Sequence, residues 1–403
     1  MTSPARGGWR RVVALVKRGR PHIVHIATDP LTAFRLMEGQ LADLRQRGFE
    51  VTVITAPGPL LDEVRRREQV TAIGVPMRRE PALAADVVSL VRLALLLRRL
   101  APDMVVAGTP KAGLLGVIAA RLTGVPVVVY LLRGLRFEGA HGAKRLILAL
   151  TEHVSGGLAH RVFANSQSLR ARFVAMGCAS ASKTWVPGAG TSNGVDVPRF
   201  ELDDETRAWA TTERARLGIP DDAVVIGFVG RFVRDKGLVE LVTAFHIARR
   251  RVPSLRLLLI GEFDDTDPLP SDIAQQLRTD AQISLTGFVK EPAPYYAVMD
   301  IFAFPSFREG FPNAPLEAAA AGLPTVAFAA TGTVDAVLDP QTGRLVPVGD
   351  VAAFADALTQ YATDPELRRY VGDAAQRRVL GEFRRELVWQ TLAAEYQRLL
   401  RLG

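Results

Sequence analysis

Two glutamates eight positions apart, Glu309 and Glu317, bracket the loop Glu309-Gly310-Phe311-Pro312-Asn313. The residues on either side read as strand, loop, short helix and strand. An apolar run begins at Ile301, Asn313 is a good helix cap with Pro315 in the first turn, and Gly322 and Pro324 stop the helix. Both carboxylates therefore lie near a helix N-terminus, whose free N–H groups and positive dipole end favour an anion. About 75 residues upstream, Gly230-Arg231-Phe232-Val233-Arg234-Asp235-Lys236-Gly237 follows another apolar run and opens onto an amphipathic segment. A glycine-flanked loop with two cations, Arg231 and Lys236, is what a diphosphate requires. It is not a P-loop, because no G-x-x-x-x-G-K-S/T occurs.

The elements that must position these residues form a repeating strand–helix pattern along the whole chain. In the first half, strands are predicted at 22–27, 51–55, 70–75, 103–107, 127–132, 161–164 and 183–186, with helices at 34–47, 83–100, 114–122 and 166–176. In the second half, strands are predicted at 224–229, 255–260, 283–285, 301–304, 325–328 and 343–347. Helices are predicted at 238–250, 351–363, 365–381 and 386–402. Alternation of this kind gives parallel, doubly wound sheets, which bind ligands beyond the carboxyl ends of their strands. Lys111, at a helix entrance, and Arg133, Arg136 and Glu138, just after a strand, enter the candidate set on that ground. His22 and His25, three apart on one strand, point to opposite faces and do not form a metal pair. Asp265 and Asp267 form a D-x-D in an acidic loop, but the neighbouring Pro268 and Pro270 mark it as a solvated turn rather than a metal site.

At 403 residues the chain exceeds one comfortable core, and two domains are expected, 1–195 and 196–403. The small-residue stretch 188–196 is the linker, with the last helix, about 386–402, a candidate to pack back on the first domain. Residues 1–195 carry 27 Lys+Arg against 12 Asp+Glu, whereas residues 196–403 carry 23 against 30. A basic first half suits an anionic partner: a bilayer, a pyrophosphate-linked substrate or nucleic acid. The apolar segment 83–100 is interrupted by Asp86, Arg92, Arg98 and Arg99, so no transmembrane helix is expected. The basic start, Met1–Arg20, has too short an apolar core for a signal peptide, and a cytoplasmic location is expected. A single cysteine, Cys178, excludes an internal disulfide.

Taken together, Gly230-Arg231…Lys236-Gly237, Gly287-Phe288-Val289, Glu309-Gly310-Phe311-Pro312-Asn313…Glu317-Ala318 with Gly322-Leu323-Pro324, and Gly343…Val346-Pro347…Asp350 resemble the retaining GT-B glycosyltransferases of family 4. Within that family they resemble the capsule, O-antigen and exopolysaccharide enzymes of bacteria. The resemblance is strongest over residues 224–350 and extends more weakly to 193–196 and 109–113. It implies two Rossmann-like domains facing across a cleft, the second holding a nucleotide sugar, with UDP expected, and the first holding a glycan or polyprenyl-pyrophosphate-linked sugar acceptor. The implied reaction is hexosyl or N-acetylhexosaminyl transfer in cell-surface polysaccharide synthesis. Catalytic roles fall to Glu309, Arg231 and Lys236, with Glu309 on the donor-sugar hydroxyls. Donor contacts fall to Glu317 on the ribose, to Gly230, Gly310, Phe311, Pro312 and Asn313, and to Phe288 and Val289 beside the base. Acceptor contacts fall to Arg133, Lys111 and Glu138. No metal or other cofactor is implied, nor nucleic acid, and the basic half would rest on the inner face of the cytoplasmic membrane. Two departures stand out. Ala27-Thr28-Asp29-Pro30-Leu31-Thr32 replaces a Gly-rich loop after the first strand, and Arg133 stands near a position where many members have a histidine. Two other readings remain open at this point: a glycoside hydrolase using the glutamate pair, and a non-catalytic basic module that binds membrane or nucleic acid.

Overall fold

The computed structural model describes residues 19–78, 82–139, 142–191 and 193–402, apart from the side chains of Arg136 and Leu402. The chain divides into two units. The first takes residues up to Asn165, Leu169–Gly188 and Val388 onward, and the second takes Ser166–Ser168 and Ala189–Leu387. The basic start of the chain, 1–18, and the Arg136 side chain lie outside the described residues.

The first unit is built on seven parallel strands: β1 (His22–Ile26), β2 (Glu50–Thr55), β3 (Thr71–Gly74), β4 (Met104–Gly108), β5 (Val127–Leu132), β6 (Arg161–Ala164) and β7 (Thr184–Trp185), ordered 3-2-1-4-5-6-7. The central strands β1, β4 and β5 are buried on both faces almost throughout and are mostly apolar, with two buried histidines in β1, as a sheet covered by helices on each side demands. The order reverses between β1 and β4. The single helix expected at 34–47 is two, Pro30–Leu36 and Gln40–Gln46. Gly39 separates them in the left-handed region at φ 75°, and a Cβ there would collide with the Trp389 ring. Trp389 lies on the last helix, Arg385–Leu402, whose Val388, Leu392, Ala393 and Tyr396 belong to the core of this unit. Helices at Pro59–Glu68 and Gly142–Leu158 are additional to those the sequence pattern marks.

Six parallel strands form the second unit: β8 (Val224–Val229), β9 (Leu255–Ile260), β10 (Ile283–Leu285), β11 (Ile301–Phe304), β12 (Thr325–Phe328) and β13 (Gly343–Val346), ordered 10-9-8-11-12-13. Its point of reversal lies between β8 and β11. The boundary falls at Gly188/Ala189 rather than at 195/196. The reason is backbone pairing: the Val195 N–H donates to the Phe383 carbonyl at 2.8 Å, and the Arg385 N–H to the Val195 carbonyl at 3.0 Å. Among the described residues no helix is long and apolar enough to cross a membrane.

A buried pair between the first sheet and the helix Gly142–Leu158 sets a pH dependence. The Tyr130 hydroxyl donates to the Glu152 carboxylate at 2.8 Å, and burial pushes Glu152 up from 4.5 to about 7. A carboxyl that holds its proton more tightly folded than unfolded gives stability that is complete below the unfolded value and lost as pH rises through the folded one. Stability should therefore fall by on the order of 3 kcal/mol between about pH 4.5 and 7 from this group alone. Denaturant titrations across that range should show the slope, and Glu152→Gln should flatten it. An unchanged slope in the variant would exclude this origin.

Candidate functional site

The loops beyond the carboxyl ends of β8, β9, β10, β11 and β12 converge at the switch point of the second sheet, and backbone contacts between glycines and carbonyls bring them there. The Gly230 N–H donates to the Ile260 carbonyl at 2.9 Å and the Gly261 N–H to the Gly287 carbonyl at 3.1 Å, joining the first three loops. Gly237, at φ 72°, ends the basic loop and caps the helix Leu238–Arg251. A Cβ on it would run into the Pro305 carbonyl oxygen. The Phe307 N–H donates to the Asp235 carbonyl at 3.1 Å, and Arg308 forms an ion pair with the Asp235 carboxylate at 2.6 Å. The basic loop and the glutamate loop are thus one assembly.

Within it Lys236 meets Glu309 directly. The Lys236 ammonium donates to Glu309 Oε1, the Ser306 hydroxyl donates to the same oxygen at 2.7 Å, and the lysine also lies 5.6 Å from the centre of the Phe304 ring. The backbone of Glu309 is fixed from the β12 side, its N–H donating to the Thr331 carbonyl at 3.1 Å. Both side chains of the pair are largely buried. Arg231 points elsewhere: about half exposed, it donates to Asp264 Oδ2 at 2.6 Å. Hydrogen bonds from Thr266 and then from Arg231 hold the Asp264 carboxyl well below the usual carboxylate range. Asp267, the second member of the D-x-D, accepts the Asp235 N–H at 2.9 Å, while Asp265 is exposed. No cluster of three or more His, Cys, Asp or Glu that could hold a metal occurs among the described residues.

Glu317 lies on the helix Asn313–Ala320, and its Oε2 accepts the Tyr296 hydroxyl at 2.8 Å. Tyr296 is fully buried, wedged edge-on against Phe200 and tilted against Phe302. Burial, then the nearby Glu317 charge, raises its pKa well above the ordinary value, so it stays a donor. The cap of this helix is Pro312 rather than Asn313, and no side chain caps it. Proline at the cap offers no side-chain acceptor, so the first N–H groups have none there. Phe311 is buried against Phe383, which leaves only its backbone to face a ligand. Phe288, beyond β10, is 60% exposed, and Val289 packs half-buried on the core.

In the first unit the three acceptor candidates are not alike. Lys111, placed at a helix entrance to meet an anion, pairs within the unit with Asp86 of the helix Leu83–Leu100, at 2.7 Å. Glu138 lies 3.5 Å from Arg172 and is likewise engaged within the unit. Arg133 alone of the three has all its guanidinium nitrogens buried and without a hydrogen-bond partner. Desolvation lowers its pKa to about 10. Beside it His25, with neither ring nitrogen bonded, is pushed down to about 3 by burial and by the Arg133 charge. Tyr396 on the last helix covers both, its ring 6.2 Å from that of His25 and stacked on Phe163 at 5.9 Å. The loop in place of a Gly-rich one is closed on itself. Thr28 and Thr109 hydroxyls are 2.7 Å apart, the Ala112 N–H donates to the Thr28 hydroxyl at 3.2 Å, and Asp29 caps the helix Pro30–Leu36.

Sequence reasoning missed the supporting groups: Asp264 and Thr266 for Arg231, Ser306 for Glu309, Tyr296 for Glu317, and His25 with Tyr396 around Arg133. Each is joined to its partner across 3 to about 370 residues of chain, and nothing in spacing marks such a pair.

Two family models match the chain: a glycosyl transferase 4-like domain over residues 35–188, and glycosyl transferases group 1 over residues 210–378. The chain belongs to the GT-B glycosyltransferases of the family 4 type, enzymes of polysaccharide and glycan synthesis. It is 33% identical over 379 residues to the capsular polysaccharide biosynthesis glycosyltransferase CapM of Staphylococcus aureus, covering 94% of this chain and 97% of that protein. It is 26% identical to a UDP-Gal:α-D-GlcNAc-diphosphoundecaprenol α-1,3-galactosyltransferase of Escherichia coli, over 86% of this chain and 89% of that one. Its fold matches that of Anabaena HepE in complex with UDP, with a TM-score of 0.77 at 19% identity, over 94% of this chain and all of HepE. The hydrolase and non-catalytic readings give way to this membership.

The join between the two loops is testable by itself. Gly237→Ala places a Cβ against the Pro305 carbonyl at a backbone angle that L-residues avoid, and should destabilise the chain by about 1–3 kcal/mol. A thermal melt matching the parent would show that the loops are not held as described.

Proposed function

We propose that the chain transfers a sugar, with retention at the anomeric carbon, from a UDP-sugar to a polyprenyl-diphosphate-linked sugar at an anionic bilayer surface. The observation that carries this reading is the Lys236–Glu309 pair at the switch point of the second sheet. A donor enters by exchange. Its diphosphate takes over Lys236, with Arg231 added from the same loop, and the released Glu309 carboxylate accepts hydroxyls of the donor sugar. Glu317, oriented by Tyr296, takes the ribose hydroxyls. The backbone of Gly230 and of Gly310–Asn313 approaches the phosphates and sugar, and Phe288 with Val289 flanks the base.

In the transfer step the bond between the anomeric carbon and the diphosphate oxygen breaks, and its electron pair remains on the phosphate. The acceptor hydroxyl forms the new bond on the same face and passes its proton to the departing phosphate. Charge thus develops where Lys236 and Arg231 stand, and fixed cations there lower the barrier. No residue of the chain becomes a nucleophile, and the scheme requires no resident metal. The CapM and galactosyltransferase similarities support the polysaccharide setting and a lipid-linked acceptor. On the acceptor side, Arg133 is the group that an acceptor phosphate would satisfy.

UDP and UDP-sugars should raise the melting temperature of the purified chain, and GDP or ADP should do so less. Lys236→Ala should lower kcat by about 10²–10³. No nucleotide stabilisation, or full transfer by Lys236→Ala, would overturn the assignment. Arg133→Met separates the acceptor role from the fold. Replacing a buried unpaired cation by an apolar side chain should raise stability, while the acceptor KM rises and the UDP-induced melting shift stays as in the parent. Unchanged acceptor KM would remove Arg133 from the acceptor site.

A further inference from the structure

The helices Leu83–Leu100 and Gly142–Leu158 pack on either side of Pro110–Leu122, in one layer over the first sheet. Ordinarily such helices turn their apolar stripe inward and a mixed-charge face outward. Here the first buries Ser89, Leu93 and Leu97, yet carries a second apolar stripe on the opposite side: Leu83, Val87, Val91 and Leu95, each separated from the next by four residues and each more than half exposed. The second helix does the same over its first turns, with Leu146 73%, Ile147 58% and Leu150 62% exposed. The exposed charged residues that accompany these stripes are of one sign. Arg92, Arg98, Arg99, Lys144 and Arg145 are exposed. The only acidic residues on the two helices are Asp86, paired with Lys111, and Glu152, buried under Tyr130. Single exposed leucines need no explanation, but two parallel rows of them in one layer do.

We propose that this face docks on an anionic lipid bilayer, the apolar stripes entering the headgroup boundary and the five cations meeting lipid phosphates. A second copy of the chain fits less well, because pairing the face with itself opposes five cations to five with no carboxylate between them. Neither helix is apolar enough to cross the membrane, so the contact is peripheral. The proposal deepens the bilayer part of the preceding reading, and it names the surface that part lacks.

The test uses the full chain with vesicles of phosphatidylcholine alone and of phosphatidylcholine with phosphatidylglycerol. Sedimentation should show binding to the second only, weakened by added salt. Val87→Glu with Val91→Glu, and separately Leu146→Glu with Leu150→Glu, should each reduce binding by at least about tenfold. The UDP-induced melting shift of both variants should equal that of the parent, which shows that the fold and the donor site are intact. Absence of binding by the parent, or equal binding by the variants, would overturn the proposal. So would a dimer, measured by light scattering, that the same substitutions dissociate, since the face would then belong to a second copy. Loss of the UDP shift in the parent with vesicle binding intact would count against the donor reading alone.

Discussion

A lysine and a glutamate 73 residues apart neutralise each other where β8 and β11 diverge, and the second unit is arranged around that contact. Partly buried ion pairs add little net stability, because desolvation of both charges offsets most of their attraction. What the pair provides is geometry. Lys236 is held in place by a loop that closes at Gly237 against Pro305, and Glu309 by Ser306 and by the β12 loop. Under the proposed function, a diphosphate displacing the carboxylate would meet an ammonium already in position, with little reorganisation left for the moment when charge moves.

The first unit treats its cations differently. Lys111 is compensated by Asp86, but Arg133 is buried beside a histidine and a tyrosine that supply no acceptor to its guanidinium. An uncompensated buried cation is costly, by several kcal/mol. Burial already lowers its pKa to about 10, yet an arginine still keeps its charge near neutrality. The group is maintained at a cost that packing alone does not require, because Tyr396 and His25 would cover an apolar side chain at that place more favourably.

How much of this was legible in sequence follows from the range of each interaction. Both sheets could be read strand by strand, because a strand buried on both faces leaves a local apolar run, as in Val127–Leu132 and Leu255–Ile260. The loop motifs around Lys236 and Glu309 could also be read, since glycines and a proline must stand at fixed positions for those turns. The family and the GT-B architecture were accessible from those motifs. The pairings were not. That Lys236 lies on Glu309 rather than free, that Asp264 rather than Asp265 engages Arg231, and that Tyr296 orients Glu317 depend on which loops the sheet order juxtaposes. Strand order 10-9-8-11-12-13 has no local signature. The Asn313 cap failed for a similar reason: the chain enters the helix one residue earlier, through Pro312, in a loop fixed by its neighbours.

The two units share one topology up to their switch points, and the loops there differ in what they leave unbonded. In the second unit the glycines 237 and 261 let backbones approach closely, so that N–H groups and cations gather at one edge. In the first unit the equivalent turn after β1 carries Thr28, whose hydroxyl bonds to Thr109 and accepts the Ala112 N–H, and Asp29, which caps its own helix. Those side chains satisfy the backbone donors that a glycine loop would leave open to a phosphate. The first unit therefore has few open backbone donors at its switch point, and among its described buried groups Arg133, one strand further along, has a guanidinium with none of its nitrogens hydrogen-bonded. The two similar sheets thus differ in what their turns leave open, and under the proposed function that difference fits donor binding by the second unit and anion recognition of another kind by the first.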